Sequence, residues 1–383
     1  MNSSQKLTCK DAQYPVHSSL CEMGYDKHIL FPVLFLAGIG LVMVYSASSA
    51  VAMTKFGSDF FFLRKQALFT AIGIMLLMLF RHVPFKFYWH FTYPFLILSM
   101  ILLVVVHIPG IGYKAGGAFR WIRIGSYTFQ PAELARMALI FFLAYSLCKK
   151  RERLKKISIG FLPHILVLAI FSVLLHFQPD FGTIIIFCVI TWIMMFIAGV
   201  PCFHLATPLI FVIPLLGYVM IEAPYRLERV LTFYDPWRFA ADGGYQVIHS
   251  LMAFGSGGLL GAGIGQGYQK LFYLPESHTD FIFSVIGEEV GLVGVVCIIV
   301  MYVWIIWRGL IIARTTENIY GSMIAAGITA SFAIQVCINM GVALGLLPTK
   351  GLTLPFLSYG GTSLLINMAA AGVLMNIGGL KKS

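Results

Sequence analysis

Long apolar stretches alternate with short polar connections along almost the whole chain. A helix needs about 20 predominantly apolar residues to cross the hydrocarbon core of a membrane. Ten stretches approach or exceed this length, although the second is short. We therefore predict an all-α polytopic membrane protein with ten transmembrane helices, at residues 29–53, 66–81, 88–108, 130–148, 159–177, 181–199, 204–222, 280–307, 321–346 and 360–380.

The connections between these stretches differ greatly in length. Residues 178–180 alone separate the fifth and sixth spans, which predicts a tight hairpin, whereas residues 109–129 form a longer outer connection. Residues 223–279 form one long loop, and their aromatic content argues against disorder. We divide the chain into a cytoplasmic tail, 1–28, and a single transmembrane domain, 29–380, which contains this long, ordered extracytoplasmic loop.

The composition supports the membrane assignment, since 59% of the residues are hydrophobic and only 11% are charged. A soluble domain carries about 25% charged residues. The formal net charge of +11 would suggest a nucleic-acid partner in a soluble protein. In a membrane protein, basic residues are expected at lipid headgroups and in cytoplasmic loops, so we predict no nucleic-acid partner.

The distribution of basic residues predicts the orientation. If the N-terminus is inside, the inner segments carry 15 Lys and Arg residues, and the short outer segments carry 7. The cluster at 149–156 contributes most of this difference. Both termini are therefore expected in the cytoplasm. The polar tail contains no apolar signal-peptide core, so the first helix is expected to serve as an uncleaved signal.

Four acidic side chains lie at the start of the eighth span or just inside it: Glu276, Asp280, Glu288 and Glu289. A charge at the membrane centre costs ~2.5 to 3.5 kcal/mol on insertion scales. A helix over residues 280–307 would be about 42 Å long, and the hydrocarbon core is only ~30 Å thick. Its first turns can project outward, so we expect Glu288 and Glu289 near the outer headgroups, with an ion-pair partner for at least one.

Residues 277–280 fit the capping-box pattern [ST]-x-x-[DE] ahead of an apolar run. Two interpretations of Asp280 remain open: it satisfies backbone N–H groups at a helix start, or it acts as a general base at the membrane surface. A cap that fixes the carboxylate would serve both. His278 could ligate a metal ion, but one His and one Asp are weak evidence, so the sequence assigns no metal site.

Arg136 lies inside the fourth span, three residues after Glu133. An intrahelical Glu133–Arg136 pair is one explanation. The alternative is an arginine that faces a cavity and binds an anionic ligand with its bidentate fork. The glycine-rich run at 255–267 matches no nucleotide-binding pattern and is expected to form a re-entrant or surface loop.

Several long motifs together resemble one family, the SEDS proteins (shape, elongation, division, sporulation), which include FtsW, RodA and SpoVE. The resemblance extends from Leu41 to Gly379, and the subgroup most similar is the division subgroup, FtsW. The motifs are YSASS (45–49), FRWIRIGSYTFQPAELARM (119–137), QPDFGT (178–183), YRLERVLTFYDPW (225–237), GGYQVIHSLMAFGSGGLLGAGIGQGYQK (243–270), YLPESHTDFIFSVIGEE (273–289) and LPTKGLTLPFLSYGGTSLL (347–365). Three positions depart from the family pattern: Ala132, Arg136 and His249.

The resemblance implies an inverting glycosyltransferase that polymerises lipid II into peptidoglycan at the outer face of the bacterial cytoplasmic (inner) membrane. Asp280 falls on the family's essential acidic residue and would deprotonate the acceptor hydroxyl, while undecaprenyl pyrophosphate leaves. The expected partners are a class B penicillin-binding transpeptidase and other divisome membrane proteins.

Other site residues follow from this chemistry, which requires positive charge or a divalent cation, Mg or Mn, near the pyrophosphate. Glu133, Glu288 and Glu289 are expected in structural or ion-pair roles. The candidate substrate-binding residues are Arg120, Arg136, Arg229, Glu276, His278 and Lys350.

Three alternatives remain open: a lipid II transporter (flippase), a RodA-type elongation polymerase, and a non-catalytic scaffold that activates a partner. A carrier is expected to hold charged residues near the membrane midplane, often on broken helices. Here most acidic residues map to the outer ends of the spans, which favours chemistry at the outer face.

Overall fold

The computed structural model describes residues 26–115, 118–125, 127–207, 210, 217, 231–240, 244–271 and 274–379. The described chain is mainly helical. In chain order its helices are α1 (Lys27–Phe56), α2 (Phe61–Phe80), α3 (Phe85–Val105), α4 (Pro131–Lys149), α5 (Ile157–Gly160), α6 (Leu162–Phe177), α7 (Phe181–Ala198), α8 (Cys202–Ala206), α9 (Tyr245–Gly257), α10 (Ile282–Thr315), α11 (Ile319–Ala343) and α12 (Gly361–Gly378).

The predicted all-α polytopic class is confirmed. Within the described ranges, nine helical segments are long and apolar enough to cross a membrane, with α5 and α6 counted together. They correspond to nine of the ten predicted spans. The remaining span, 204–222, falls largely on residues outside the described ranges.

The hairpin between α6 and α7 has the predicted length. Helix α6 ends at Phe177 and α7 begins at Phe181. The carboxylate of Asp180 accepts hydrogen bonds from the Thr183 N–H at 3.3 Å and from the Thr183 hydroxyl at 2.8 Å. Asp180 is therefore an N-cap that satisfies a free backbone donor at the start of α7.

The connection between α3 and α4, predicted to be an outer one, contains a small antiparallel sheet that the sequence pattern did not predict. Its strands are β1 (Gly112–Ala115), β2 (Ala118–Ile124) and β3 (Tyr127–Phe129), in the order β1-β2-β3. A hydroxyl at the start of α12 ties the sheet to the bundle, because Thr362 Oγ1 lies 3.1 Å from the N–H of Gln130. Such short strands carry too few residues for their alternation to be recognised in the sequence.

Helix α4 forms the centre of the bundle, where it contacts α3, α7, α11 and α12. The apolar stretch of α4 is 89% buried inside the protein, whereas the apolar stretch of α2 is only 22% buried. The peripheral helices present apolar side chains outward, as expected for surfaces that face lipid.

Both ends of the described chain lie at the same end of the bundle. The Asp26 N–H donates to the Met375 carbonyl at 3.2 Å. The Asp26 carboxylate caps α1 through the N–H of His28 at 3.0 Å and pairs with Arg308 Nε at 2.6 Å. These contacts join the beginning of α1, the end of α12 and the last third of α10.

The eighth predicted span is interrupted, contrary to the prediction of one continuous helix from 280 to 307. Gly291 adopts φ 72° and ψ −167° inside α10, so the helix divides into 282–290 and 292–315. Residues with a side chain rarely adopt this conformation, because Cβ clashes with the backbone.

The glycine-rich loop, defined here as residues 258–271, fills the break at Gly291. Its N–H groups at Ala262 and Gly263 donate to the carbonyls of residues 288 and 289, at 2.9 and 3.0 Å. On the other side of the break, the N–H groups of residues 292 and 293 donate to the carbonyls of residues 258 and 259, at 3.0 and 3.2 Å. The loop therefore replaces hydrogen bonds that a continuous helix would make internally, which an apolar environment requires.

Replacement of Gly291 by alanine tests this arrangement. A Cβ at Gly291 would lie 2.3 Å from the Gly261 nitrogen, and the backbone would keep a positive φ. We expect Gly291→Ala to lower the free energy of unfolding by about 1 to 3 kcal/mol or more. Gly38→Ala is the matched control, since a Cβ there meets no atom within 4 Å. Thermal midpoints in detergent report the difference, and equal midpoints for both variants would contradict the account.

Candidate active site

Asp280 lies in the turn immediately before α10, and its backbone is held from two directions. Its N–H donates to the Glu276 carbonyl at 3.1 Å. The side-chain amide of Asn339, on α11, donates to the Asp280 carbonyl at 3.0 Å and to the Leu352 carbonyl at 2.6 Å. Asn339 thus joins the turn, α11 and the 345–360 segment, a role that sequence reasoning missed because no motif marks this residue.

The predicted capping box is wrong. Helix α10 begins at Ile282, and its N-cap, Phe281, makes no side-chain capping hydrogen bond. The Ser277 hydroxyl donates instead to the Ala47 carbonyl on α1, at 3.1 Å. The pattern alone could not show that α1 passes close enough to engage this serine. The Asp280 carboxylate therefore does not cap α10.

The Asp280 carboxyl faces Gly351 and is half-buried. A Cβ on Gly351 would lie 3.2 Å from Asp280 Oδ2, so the glycine leaves space beside the carboxyl group. Burial raises the pKa of Asp280, and the nearby charge of Glu276 raises it further, to about 7. The Thr279 hydrogen bond and the positive charge of Arg120 oppose this rise. Near neutral pH, the group is therefore divided between its ionised and protonated forms, which suits proton transfer.

Arg120, on β2, points toward the α6–α7 hairpin. Its Nε donates to the Gln178 carbonyl at 3.2 Å, and its Nη2 donates to the Pro179 carbonyl. The Lys350 side chain reaches the same hairpin, because its Cδ lies 3.6 Å from the position of a Cβ on Gly182. The structure thus brings two predicted cationic residues to one region, at the α6–α7 hairpin.

Glu276 and His278 lie in the same turn as Asp280. Glu276 is exposed, has φ 53°, and accepts a hydrogen bond from the Thr279 hydroxyl at 3.1 Å. The His278 ring lies between Phe62 and Tyr359, with centroid distances of 4.7 and 5.6 Å. Burial lowers the pKa of His278, and Lys55 lowers it further against the opposing effect of Glu276.

Both interpretations of Arg136 find support in the geometry. Its Nη2 pairs with Glu133 at 2.8 Å and donates to Asn367 Oδ1, also at 2.8 Å. Its Nε has no hydrogen-bond partner within the described part of the chain. The same arginine lines a small, mostly enclosed cavity together with Glu133, Thr183, Gln335, Leu352 and Thr353. Leu352 connects this cavity to the Asn339 contact with Asp280.

Glu288 and Glu289 bind the glycine-rich loop. Glu288 accepts hydrogen bonds from the N–H groups of Tyr268 at 2.7 Å and Gln269 at 3.1 Å. Glu289 accepts from the Gly265 N–H at 3.0 Å and pairs with Lys270 at 2.6 Å. Both residues are 1% exposed, so neither carboxylate is accessible to a substrate in this arrangement.

Two further residues singled out by the sequence are Arg229 and His249. Arg229 lies outside the described residues. His249, one of the departures from the family pattern, contacts Gln269 Oε1 at 2.7 Å, so this change lies at a contact between α9 and the glycine-rich loop.

The pKa of Asp280 should respond in opposite directions to its two charged neighbours. Glu276→Gln removes a charge that raises this pKa, so we expect a lower value. Arg120→Gln removes a charge that lowers it, so we expect a higher value. Infrared titration of the carboxyl band, assigned by difference from Asp280→Asn, measures both shifts. Shifts of the same sign would contradict the electrostatic account of this site.

Comparison with known proteins identifies the family. A family model described as a cell cycle protein, covering FtsW, RodA and SpoVE, matches residues 27–382.

Two curated relatives are named probable peptidoglycan glycosyltransferase FtsW. The relative from Trichlorobacter lovleyi is 44% identical over 93% of this chain and 94% of its own length. The relative from Geobacter sp. (strain M18) is 42% identical over 92% of this chain and 96% of its own length.

A solved structure has a similar fold. It is a chain of a peptidoglycan synthase complex described as coordinating polymerization and crosslinking. It aligns with a TM-score of 0.76 and 28% identity over 92% of this chain and 97% of that chain. The predicted resemblance is therefore confirmed, and the chain belongs to the FtsW, RodA and SpoVE family.

Proposed function

We propose that this protein polymerises lipid II into peptidoglycan glycan strands at the outer face of the cytoplasmic membrane. The observation that carries the proposal is the Asp280 carboxyl, with a pKa of about 7, beside a hairpin that binds Arg120. The names of the curated relatives support the activity. Their FtsW designation supports a role in septal synthesis over elongation by a RodA-type polymerase.

The proposed chemistry divides the site into a base and a group of cations. Ionised Asp280 accepts the proton of the acceptor sugar 4-hydroxyl, whose oxygen attacks the anomeric carbon of the donor. The bond to undecaprenyl pyrophosphate breaks, and the configuration at the anomeric carbon inverts. Arg120 and Lys350 lie where they can stabilise the charge that develops on the pyrophosphate. Because this leaving group is already stable, a strong general acid is unnecessary.

Arg136 lies deeper in the bundle, at the cavity joined to the site through Leu352. We assign it to binding of the substrate's anionic portion, with Glu133 holding the guanidinium group in position. Glu276 raises the pKa of Asp280. His278, packed between Phe62 and Tyr359, lines the site beside Asp280. A contribution from Arg229 remains part of the proposal, although this residue lies outside the described ranges.

A divalent cation, Mg or Mn, is a further part of the proposal. Among the described residues, no three His, Cys, Asp or Glu side chains gather closely enough to hold a metal ion by themselves. Magnesium ions are commonly held by one or two carboxylates together with substrate phosphates. The carboxylate of Glu276 fits such a shared arrangement. When bound, the ion would supply positive charge to the pyrophosphate.

We propose that a class B penicillin-binding transpeptidase is the partner, within an assembly of divisome membrane proteins. The similarity to a chain from a peptidoglycan synthase complex supports a partner of this kind. We further propose that both termini face the cytoplasm. The contact between Asp26 and Met375 and the excess of basic residues in the predicted inner segments support this orientation.

A lipid II transporter is the second candidate, and the broken helix α10 is the observation that favours it. Carriers often use such breaks to bind substrates or ions. Here, however, backbone groups on both sides of Gly291 bind the glycine-rich loop, and the adjacent glutamates bind the same loop. The polymerase explains the half-buried carboxyl of Asp280, with its raised pKa, better than the carrier does.

Asp280→Asn should abolish polymerisation, because an amide cannot accept the proton. The assay uses the purified full chain and labelled lipid II, with and without its transpeptidase partner. Asp235→Asn is the matched control, since it alters an exposed carboxylate elsewhere in the long loop and should retain activity. Polymer from Asp280→Asn at the wild-type rate would reject the assigned base. Movement of lipid II across vesicles by wild type, without polymer, would favour the transporter.

Polymerisation should fall as the pH decreases through about 7. The folded-state pKa of Asp280 is raised to about 7, so the base is protonated at lower pH and ionised at higher pH. The pH dependence of kcat measures its midpoint in the enzyme–substrate complex. Glu276→Gln should move this midpoint to lower pH, because it removes a charge that raises the pKa of Asp280. A midpoint near the ordinary value for aspartate would contradict the assignment.

A further inference from the structure

Asp280 lies in the turn that immediately precedes a short helical segment, 282–290, which is not continuous with the rest of α10. At 1.5 Å per residue this half-helix is about 13 Å long. The break at Gly291 interrupts the regular helix, so the geometry of 292–315 does not by itself set the direction of the half-helix. Other contacts must determine where Asp280 lies.

Two consecutive residues of α1 hold the two ends of the segment that contains Asp280. At its beginning, the Ala47 carbonyl accepts the Ser277 hydroxyl at 3.1 Å. At its end, the Ser46 hydroxyl donates to the Glu289 carboxylate at 2.7 Å. The YSASS motif thus contacts the segment on both sides of Asp280, across more than 200 residues of sequence.

A buried lysine completes the contact at the far end. Lys270 Nζ lies 2.6 Å from Glu289 Oε1 and 2.8 Å from Ser46 Oγ. Lys270 is 5% exposed and Glu289 is 1% exposed. A buried ion pair with little water around it requires close geometry, and it resists separation of its partners. The trio of Ser46, Lys270 and Glu289 therefore fixes the end of the half-helix against α1.

We propose that Ser46, Lys270 and Glu289 are positioning residues for Asp280. By fixing the half-helix, the trio determines how far the Asp280 carboxyl lies from the Arg120 guanidinium group and from the substrate. This inference rests on the proposed polymerase function. A small displacement of a reacting group can reduce the rate of a reaction greatly without changing substrate binding.

The test compares single and double variants of the ion pair in the purified full chain, with labelled lipid II and the transpeptidase partner. Lys270→Met and Glu289→Gln each leave one buried polar or charged group without its partner. The double variant Lys270→Met/Glu289→Gln removes both charges of the pair, so its thermal midpoint should recover toward wild type. We expect kcat of the double variant to stay about tenfold to hundredfold below wild type, with KM within twofold.

A second ion pair in the same chain supplies the control. Asp26 and Arg308 pair at 2.6 Å at the opposite end of α10, far from the turn that holds Asp280. Asp26→Asn and Arg308→Met, singly and together, should change the thermal midpoint but leave kcat and its pH midpoint at wild-type values. The trio variants should displace the pH midpoint, because the surroundings of Asp280 change.

Recovery of both thermal midpoint and kcat in the double variant would overturn the proposal and leave the trio a purely structural role. If the ion-pair variants fail to fold, Ser46→Ala decides, since it removes one hydroxyl and retains the ion pair. We expect several-fold lower kcat with unchanged KM and only a small decrease in the thermal midpoint, because one buried hydrogen bond is lost while the ion pair stays. Unchanged kcat would reject the proposal. Failure of the proposed function gives a different result, because the wild-type chain would then make no polymer from lipid II.

Discussion

Every backbone N–H and carbonyl group removed from water must find a hydrogen-bond partner, and this constraint governs the break at Gly291. A helix that stops inside an apolar bundle exposes carbonyl groups on one side and N–H groups on the other. The glycine-rich loop satisfies both sets. Its N–H groups donate to the carbonyls of residues 288 and 289, and its carbonyls accept from the N–H groups of residues 292 and 293. Such close approach between backbones excludes side chains, and this explains the glycines at 257, 261 and 291.

The same break determines how the acidic residues divide their roles. Glu288 and Glu289 lie at the end of the half-helix, where both point into the protein. Both accept hydrogen bonds from N–H groups of the loop, and Glu289 also pairs with the Lys270 ammonium. Asp280 lies at the other end, where the chain has left the helix and no capping bond occupies its carboxyl. The acidic residues therefore differ in accessibility. The buried carboxylates of Glu288 and Glu289 accept hydrogen bonds from the loop and hold it in place. The half-buried carboxyl of Asp280, with its raised pKa, remains for proton transfer.

Cations reach the site from elements that are distant in sequence. Arg120 is carried by a small sheet between α3 and α4, and Lys350 by the segment between α11 and α12. Both approach the hairpin at residues 178–182. Arg136 is deeper, on the most buried helix, and its charge is partly balanced by Glu133. Together these cations extend from the hairpin into the bundle.

The sequence by itself determined the membrane class, most of the spanning helices, the tight hairpin at 178–180 and the family. These features depend on local composition or on continuous motifs, which a linear pattern records directly. It also indicated Asp280 and the importance of the glutamates two turns later. The pattern suggested a capping box and a continuous helix, and in both cases the structure differs.

Only the tertiary structure decided where those residues belong. Ser277 donates to α1 and does not form the predicted cap, and Glu289 pairs with Lys270 and Ser46, which lie 19 and 243 positions away. Asn339 fixes the Asp280 backbone without any motif to mark it. The small sheet that carries Arg120 was likewise absent from the prediction. These outcomes depend on which helices pack against one another, and the physical reason is that a hydrogen bond or ion pair is set by distance in space, which local sequence patterns do not encode.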